Sequence, residues 1–294
     1  MTRRQEIALN EDGTERLAKV LAAHGIASRR EAEAMIVAGR VKVNGTVATH
    51  PGQPVTVEQD TIRIDDKALP DAPHLVYFVL YKPKGYIVTR ADPNARKSVM
   101  ELLPELPERV EPVGRLDINT EGALLLTNDG ELAHRLTHPS AGVPKRYLAK
   151  VYRTPTDKTI ARLEAGIQLE DGKSAPAKVR LISATDAENA WVEITVTEGR
   201  NRLIRRLFAT VGHPVSKLIR QSFATVTIRG LERGHFRALG ADEVARLREI
   251  GGGTPAASAG RRPARSKEGF AKTDPKWLER RLAGKKKRST KRQG

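Results

Sequence analysis

The spacing of apolar positions changes along the chain, and the changes mark its parts. Between Glu15 and His24, Leu17, Val20 and Leu21 fall at helical spacing and Gly25 follows as a C-cap, which predicts a first helix. Ser28-Arg29-Arg30-Glu31 has the form of a capping box, so a second helix runs from it to about Ala38, where Gly39 ends it. Arg40 to Val43 alternates charge and valine up to an Asn44-Gly45 turn, and Thr46-Val47-Ala48 resumes, which predicts a hairpin. Two short helices feeding a small sheet make a first module over residues 14–72, and Asp65 to Pro73 reads as a linker.

At Leu75 the pattern becomes strand-like. Leu75 to Leu80 is a nearly continuous apolar run ending in Tyr81-Lys82-Pro83-Lys84-Gly85, and Tyr86 to Thr89 resumes a strand. Val99 to Leu103 forms a helical turn within a polar stretch. The loop Gly114-Arg115-Leu116-Asp117-Ile118-Asn119-Thr120-Glu121-Gly122 leads into a short buried strand ending at Thr127. After the Asn128-Asp129-Gly130 turn, Glu131 to His138 is a short helix stopped by Pro139. Lys145 to Tyr152, Ala177 to Ile182 and Trp191 to Val196 are strands, and Lys217 to Arg220 and Phe223 to Ile228 are strand-like. Thr156 to Ala165 is a helix capped by Thr156; Asn201 to Val211 is a helix with Ile204, Leu207, Phe208 and Val211 in one stripe; Ala241 to Ile250 closes the part as a helix. Strands outnumber helices and come in adjacent pairs, so residues 75–250 are expected to form an α+β domain on a mostly antiparallel, mixed sheet.

Composition adds a partner. The 294 residues carry a net charge of +17, of which residues 251–294, with 14 Lys or Arg against 3 Asp or Glu, hold +11. That last segment, rich in Gly, Ala, Pro, Arg and Lys, is expected to be a disordered basic tail, as are the polar first 13 residues. A moderately basic body with such a tail calls for a polyanion, and nucleic acid is the commonest one. The absence of cysteine excludes disulfides and thiolate metal sites. No apolar run is long enough to span a membrane and the N-terminus has no signal-peptide core, so a cytoplasmic protein is expected.

Several chemistries fall away by motif. His134 and His138 have ligand spacing, but no glutamate lies between them as in His-Glu-x-x-His, and His138 abuts proline. The Asp117 loop mimics the start of a calcium loop, but Asn128 stands where the bidentate glutamate is required. Neither glycine-rich nucleotide motif is present. Asp117 is the acid with the best context, a lone carboxylate at the mouth of a buried strand. Such a group needs a nearby cation to stay ionised in a partly dry pocket, and an arginine also fixes its geometry. Arg202, Arg205 and Arg206, after Thr197-Glu198-Gly199-Arg200, are the candidates. Arg205 borders the apolar stripe and can reach inward, with Arg200 and Arg206 facing solvent or RNA; all four as one phosphate-binding face is the plainer alternative.

Two resemblances follow from these residues. Arg16-Leu17-Ala18-Lys19-Val20-Leu21, Gly25-Ile26-Ala27-Ser28-Arg29-Arg30 and Gly39-Arg40-Val41-Lys42-Val43-Asn44-Gly45 resemble the alpha-L RNA-binding domain known from a ribosomal small-subunit protein, which implies RNA contacts from Lys19, Arg29, Arg30, Arg40 and Lys42. Gly114-Arg115-Leu116-Asp117, Thr120-Glu121-Gly122, Leu124 to Gly130, Tyr81 to Gly85, Lys145 to Val151 and Glu198 to Leu207 together resemble RNA pseudouridine synthases of the RsuA/RluB branch. Within that branch the tail and the Glu198–Arg202 text are most similar to the type acting on large-subunit (23S) ribosomal RNA. Gln221-Ser222-Phe223-Ala224 departs from the usual glycine-containing continuation, which keeps small-subunit (16S) rRNA open as target. A non-catalytic ribosome-assembly protein is the reading from another class.

The resemblance implies isomerisation of a uridine in ribosomal RNA to pseudouridine without metal or cofactor, by a monomer. It makes Asp117 the catalytic aspartate, acting as nucleophile at C1′ or by taking the C2′ proton. It makes Tyr147 the residue packed against the target base and Arg205 the ion-pair partner of Asp117. Arg115, Lys82, Arg146, Arg200 and Arg202 are expected to contact the RNA.

Overall fold

The strand Glu121–Thr127 is buried at every position because both of its faces are covered. Ala123 and Leu125 point into one apolar cluster with Tyr77, Val79, Leu132, Leu136, Phe223 and Leu247. Leu124 and Leu126 point into another, with Phe78, Leu80, Val99, Leu116 and Ala238. Alternation of side chains along a strand sends successive residues to opposite faces, so a strand covered on both sides must be apolar throughout. The structure, a computed structural model, describes residues 13–250 apart from 90–93, 95, 104–105, 107 and 185–187. The expectations for the basic tail and for the first twelve residues lie outside the described residues.

Among the described residues nine strands form one mixed sheet, mostly antiparallel, with helices beside it, which is the α+β architecture expected. Its order is Lys178–Ala184, Asn189–Val196, Lys145–Tyr152, Val215–Phe223, Glu121–Thr127, Tyr77–Lys82 and Phe236–Ala238, with two short strands, Val226–Thr227 and Glu111–Pro112, attached to it. Helices Asp157–Ala165 and Leu203–Thr210 cover one half through a cluster containing Val192, Ile194, Leu207 and Phe208. Helices Gly130–Thr137 and Ala241–Ile250 cover the other. The halves meet where Val215–Phe223 runs parallel to Glu121–Thr127, with Ile219 opposite Glu121 and Arg220 opposite Gly122. The mouth of this seam, where Glu121–Thr127 begins, is where the Asp117 loop arrives.

The N-terminal part has a core of its own, built from Leu17, Val20, Leu21, Ile36, Val41, Val55, Ile62 and Ile64. Helix Arg29–Val37 starts from the expected capping box, with Ser28 Oγ accepting from the Glu31 amide and the Glu31 carboxylate accepting from the Ser28 amide. Asn44 and Gly45 both take positive φ, as the tight hairpin between Val41–Val43 and Thr46–Val47 requires. Asp65 and Asp66 do the same between Ile62–Ile64 and Lys67–Ala68, so the stretch read as a linker begins as a further hairpin.

Two other expectations change. Tyr86 to Thr89 makes a single bridge, Ile87 to Ser98, instead of a strand. Gly85, at φ +92°, gives its amide to the Ile118 carbonyl and turns the chain away from the sheet. The helix expected from Asn201 starts at Leu203, because Arg202 takes a left-handed conformation, φ +48°, at its N-cap.

Gly122 is the tightest point of the seam. Its φ is +118°, and a Cβ there would stand 2.2 Å from the Arg220 carbonyl oxygen. Gly122→Ala is therefore expected to cost about 3 kcal/mol or more, lowering the melting temperature by roughly 10 °C. Gly199→Ala, where a Cβ meets nothing within 4 Å, should leave it nearly unchanged. Thermal melts of the two variants against wild type check this.

Candidate active site

Asp117 opens a four-residue turn closed by the Thr120 amide donating to the Asp117 carbonyl oxygen at 2.9 Å. The carbonyls that follow are each taken by a donor from elsewhere in the chain. Ile118 O accepts from the Gly85 amide at 2.8 Å. Asn119 O accepts from Arg205 Nη2 at 3.0 Å. Thr120 O accepts from Lys82 Nζ at 2.9 Å, and the same ammonium donates to Pro83 O at 3.0 Å and stands 3.5 Å from Ile118 O. Lys82 is wholly buried, at the end of its strand and opposite Gly122 in register. Burial pulls its pKa down to about 8, with Arg220 pushing the same way and Asp117 and Glu121 opposing.

The Asp117 side chain is left 29% exposed, and Arg202 Nη1 lies 4.0 Å from its Oδ2. This corrects the pairing expected of Arg205. Both Arg205 Nη groups are taken by carbonyls, Asn119 O and Val215 O, each at 3.0 Å. Arg205 still feels the Asp117 charge, which counters the lowering of its pKa by burial and by Arg202. One arginine thus holds the backbone of the turn and its neighbour faces the carboxylate.

Both come from a segment tied down by Asp171. Its Oδ1 accepts from Arg200 Nη1 and its Oδ2 from Arg206 Nη2, each at 2.9 Å. Glu198 accepts from Arg200 Nε at 3.0 Å and from the Ala175 amide at 3.1 Å. The hairpin of Gln168–Leu169 and Gly172–Lys173 is thereby fastened to the start of the Leu203–Thr210 helix. Arg200, expected to contact RNA, is engaged with two carboxylates, Asp171 and Glu198. Asp171 carries no advance signal: a lone acid in Glu170-Asp171-Gly172 reads as an ordinary polar turn.

Lys82 is the clearest departure from the expected RNA contacts. A fully buried ammonium bound to backbone carbonyls cannot reach a phosphate; it shapes the turn. Tyr147 sits on Lys145–Tyr152 opposite Ile194 and Arg220, packed between the Leu116 cluster and the Phe208 cluster, which brings it to the same seam as Asp117. Arg220 is itself buried, donates from Nε to Ala123 O at 2.7 Å and stacks over Phe223. Arg115 is exposed beside the loop, and Arg146 lies 3.9 Å from Glu193. In the N-terminal part Arg29 and Arg30 are exposed at the first turn of their helix. Arg40 and Lys42 pair with Asp65 and Asp66, and Lys19 with the buried Glu15, so those three cations are already partly neutralised.

The chain is similar to known proteins along most of its length. A family model described as RNA pseudouridylate synthase matches residues 76–210, and one described as S4 domain matches residues 15–62. Ribosomal large subunit pseudouridine synthase B of Bacillus subtilis (strain 168) is 46% identical over 237 residues, covering 80% of this chain and 96% of that protein. The protein of the same name from Yersinia pestis is 45% identical, covering 80% of this chain and 76% of that one. A solved structure described as a pseudouridylate synthase superposes with a TM-score of 0.57 at 30% identity, over 79% of this chain and 99% of that chain.

Two outcomes test this geometry. Lys82 loses its proton near pH 8 in the folded protein and near 10.5 when unfolded. The unfolded chain therefore binds more protons between these values, and stability gains with rising pH across that window. The urea midpoint of wild type should rise relative to that of Lys82→Met between pH 8 and pH 10; parallel midpoints would show that the buried amine does not titrate there. For the second, Asp171→Asn keeps the shape but weakens the grip on Arg200 and Arg206. It should lower kcat about tenfold with KM changed less than about twofold, because it disturbs placement rather than substrate contact. Steady-state kinetics on an RNA substrate separate the two parameters.

Proposed function

The chain belongs to the RNA pseudouridylate synthase family, and on that premise we propose that it isomerises one uridine of large-subunit ribosomal RNA to pseudouridine with Asp117 as the catalytic aspartate. The observation that carries this reading is the Asp117 turn: a partly exposed carboxylate at the mouth of the central seam, 4.0 Å from one guanidinium, its backbone gripped by Lys82 and Arg205. The target base must leave its stack for C1′ and C5 to be reached. Asp117 then acts on the sugar, the C1′–N1 bond breaks, the uracil turns while bound, and C1′ joins C5. The C5 proton is lost and N1 gains one, so the product is an isomer and no co-reactant is consumed.

Tyr147 provides the aromatic face for the flipped base. Arg205 acts on Asp117 through the backbone of its turn, and Arg202 supplies the facing charge. The N-terminal part, residues 14–72, holds RNA through Arg29 and Arg30, whose side chains stand beside free helix amides. Residues 75–250 form the catalytic domain, and the basic segment 251–294 adds phosphate contacts of no sequence preference. The protein works as a cytoplasmic monomer without metal or cofactor. Among the described residues no helix is long and apolar enough to cross a membrane. Support for the large-subunit target comes from the relatives' names and from overall similarity, which runs through both parts of the chain.

Asp117→Asn should reduce pseudouridine formation by at least about 10³-fold while RNA affinity stays within about twofold. Carbodiimide primer extension on ribosomal RNA from cells carrying wild type, the variant or neither measures the modification and locates it. Modification that persists in the variant would remove Asp117 from the catalytic role, and a new stop in small-subunit RNA would move the target.

A further inference from the structure

A cavity of about 380 Å³ opens beside the Asp117 turn, walled by Lys84, Asn119, Glu121, Arg205, Ser216 and Lys217. Three of these are cationic and one is acidic. The acid is already answered: Glu121 is only 8% exposed, and Arg233 Nε lies 2.7 Å and Lys217 Nζ 3.8 Å from its carboxylate. Arg205 contributes charge but has committed both Nη groups to carbonyls. Ser216 has turned its hydroxyl hydrogen to the Lys150 carbonyl. The groups left to donate are the Lys84 ammonium and the Asn119 amide, neither hydrogen-bonded among the described residues, and Lys217, which is held only at long range. An exposed ammonium, a half-exposed one and a free amide around one concave space suit a tetrahedral oxyanion.

We propose that this cavity receives a phosphodiester of the substrate strand immediately next to the target uridine, with Lys84 and Lys217 as its charged contacts. The proposal rests on the catalytic reading of Asp117. Asn119 and Arg205 belong both to the cavity wall and to the turn that carries Asp117. A nucleotide swung out of its strand brings its own sugar and the phosphates on either side of it, so a phosphate must lie within one nucleotide of Asp117. Contact with that phosphate fixes the sugar against the carboxylate. Lys84 is part of Tyr81-Lys82-Pro83-Lys84-Gly85, where Lys82 turns inward to hold the loop and Lys84 turns outward to hold the strand.

The test uses the full-length protein and a short RNA carrying the target uridine. One linkage at a time beside that uridine is made a neutral methylphosphonate, with a 2′-deoxy sugar next to it for stability. The control RNA has the same deoxy sugar and a normal phosphate. Lys84→Gln and Lys217→Gln are each expected to weaken binding of the control RNA about five- to tenfold. The double variant should make the dependence of log K on log salt shallower by about 0.7, the value for one phosphate contact on a single strand. On the RNA whose bound linkage is neutral, wild type loses both contacts and should bind as weakly as the double variant binds the control RNA, and neither single substitution should weaken that binding further.

Equal losses for the variants on neutral and charged linkages would overturn the proposal, as would unchanged affinity on the control RNA. Inorganic phosphate is added in a separate arm. If it competes with wild type but not with Lys84→Gln, while every methylphosphonate RNA binds normally, the cavity takes a free anion and not the strand. Failure of wild type to form any pseudouridine would instead sink the catalytic reading, and is seen independently in the product assay.

Discussion

Lys82 Nζ, buried between the sheet and the Asp117 turn, donates to the Thr120 and Pro83 carbonyls at 2.9 and 3.0 Å, and the placement of Asp117 hangs on it. A turn at the mouth of a strand leaves carbonyls that no sheet ladder can satisfy, and each one buried without a donor costs about 1–3 kcal/mol. Here Gly85, Arg205 and Lys82 supply those donors from distant parts of the chain. The consequence reaches the side chain. Because the backbone is held by cations, Asp117 has no need of a close ion pair and stays partly exposed, 4.0 Å from Arg202, where a sugar can meet it. An acid locked in a bidentate pair would be ionised but less available.

The same seam explains why the surrounding residues are what they are. The sheet changes from antiparallel to parallel between Glu121–Thr127 and Val215–Phe223, and the two chains approach closely enough that only glycine fits at 122. Arg220, opposite Gly122 across that contact, is in turn opposite Tyr147 on the next strand. From the other half, Asp171 fastens Arg200 and Arg206, so that the intervening Arg202 and Arg205 arrive in place. Lys82 is buried and Lys145 partly so, and each is held by backbone carbonyls. Lys82 and Lys145 are both pulled down to about 8, by burial and by Arg220. A cleft with that excess of positive charge is suited to a polyanion.

Much of this is legible along the chain, where local rules act alone. The capping box at Ser28, the Asn44-Gly45 turn, the stripe from Ile204 to Phe208 and the apolar run after Gly122 each follow from spacing within one element. The Asp117 loop stands out for the same reason. What is hidden depends on partners far away in sequence. The resemblance puts Lys82 among the RNA contacts; its register opposite Gly122 sends it inward. Arg205 rightly reads as inward-facing, but whether it meets a carboxylate or a carbonyl is decided by Asn119, 86 positions away. Asp171 has no local mark at all, since its effect exists only through Arg200 and Arg206.

Hydrogen–deuterium exchange over residues 114–122, compared between wild type and Lys82→Met, tests the central claim most directly. If the buried ammonium holds the Asp117 turn, the Thr120 amide and its neighbours exchange markedly faster in the variant, while protection in the Asn189–Val196 strand is unchanged. Equal protection of residues 114–122 in the two proteins would show that the turn holds its shape without Lys82, and the account of how Asp117 is positioned would fail.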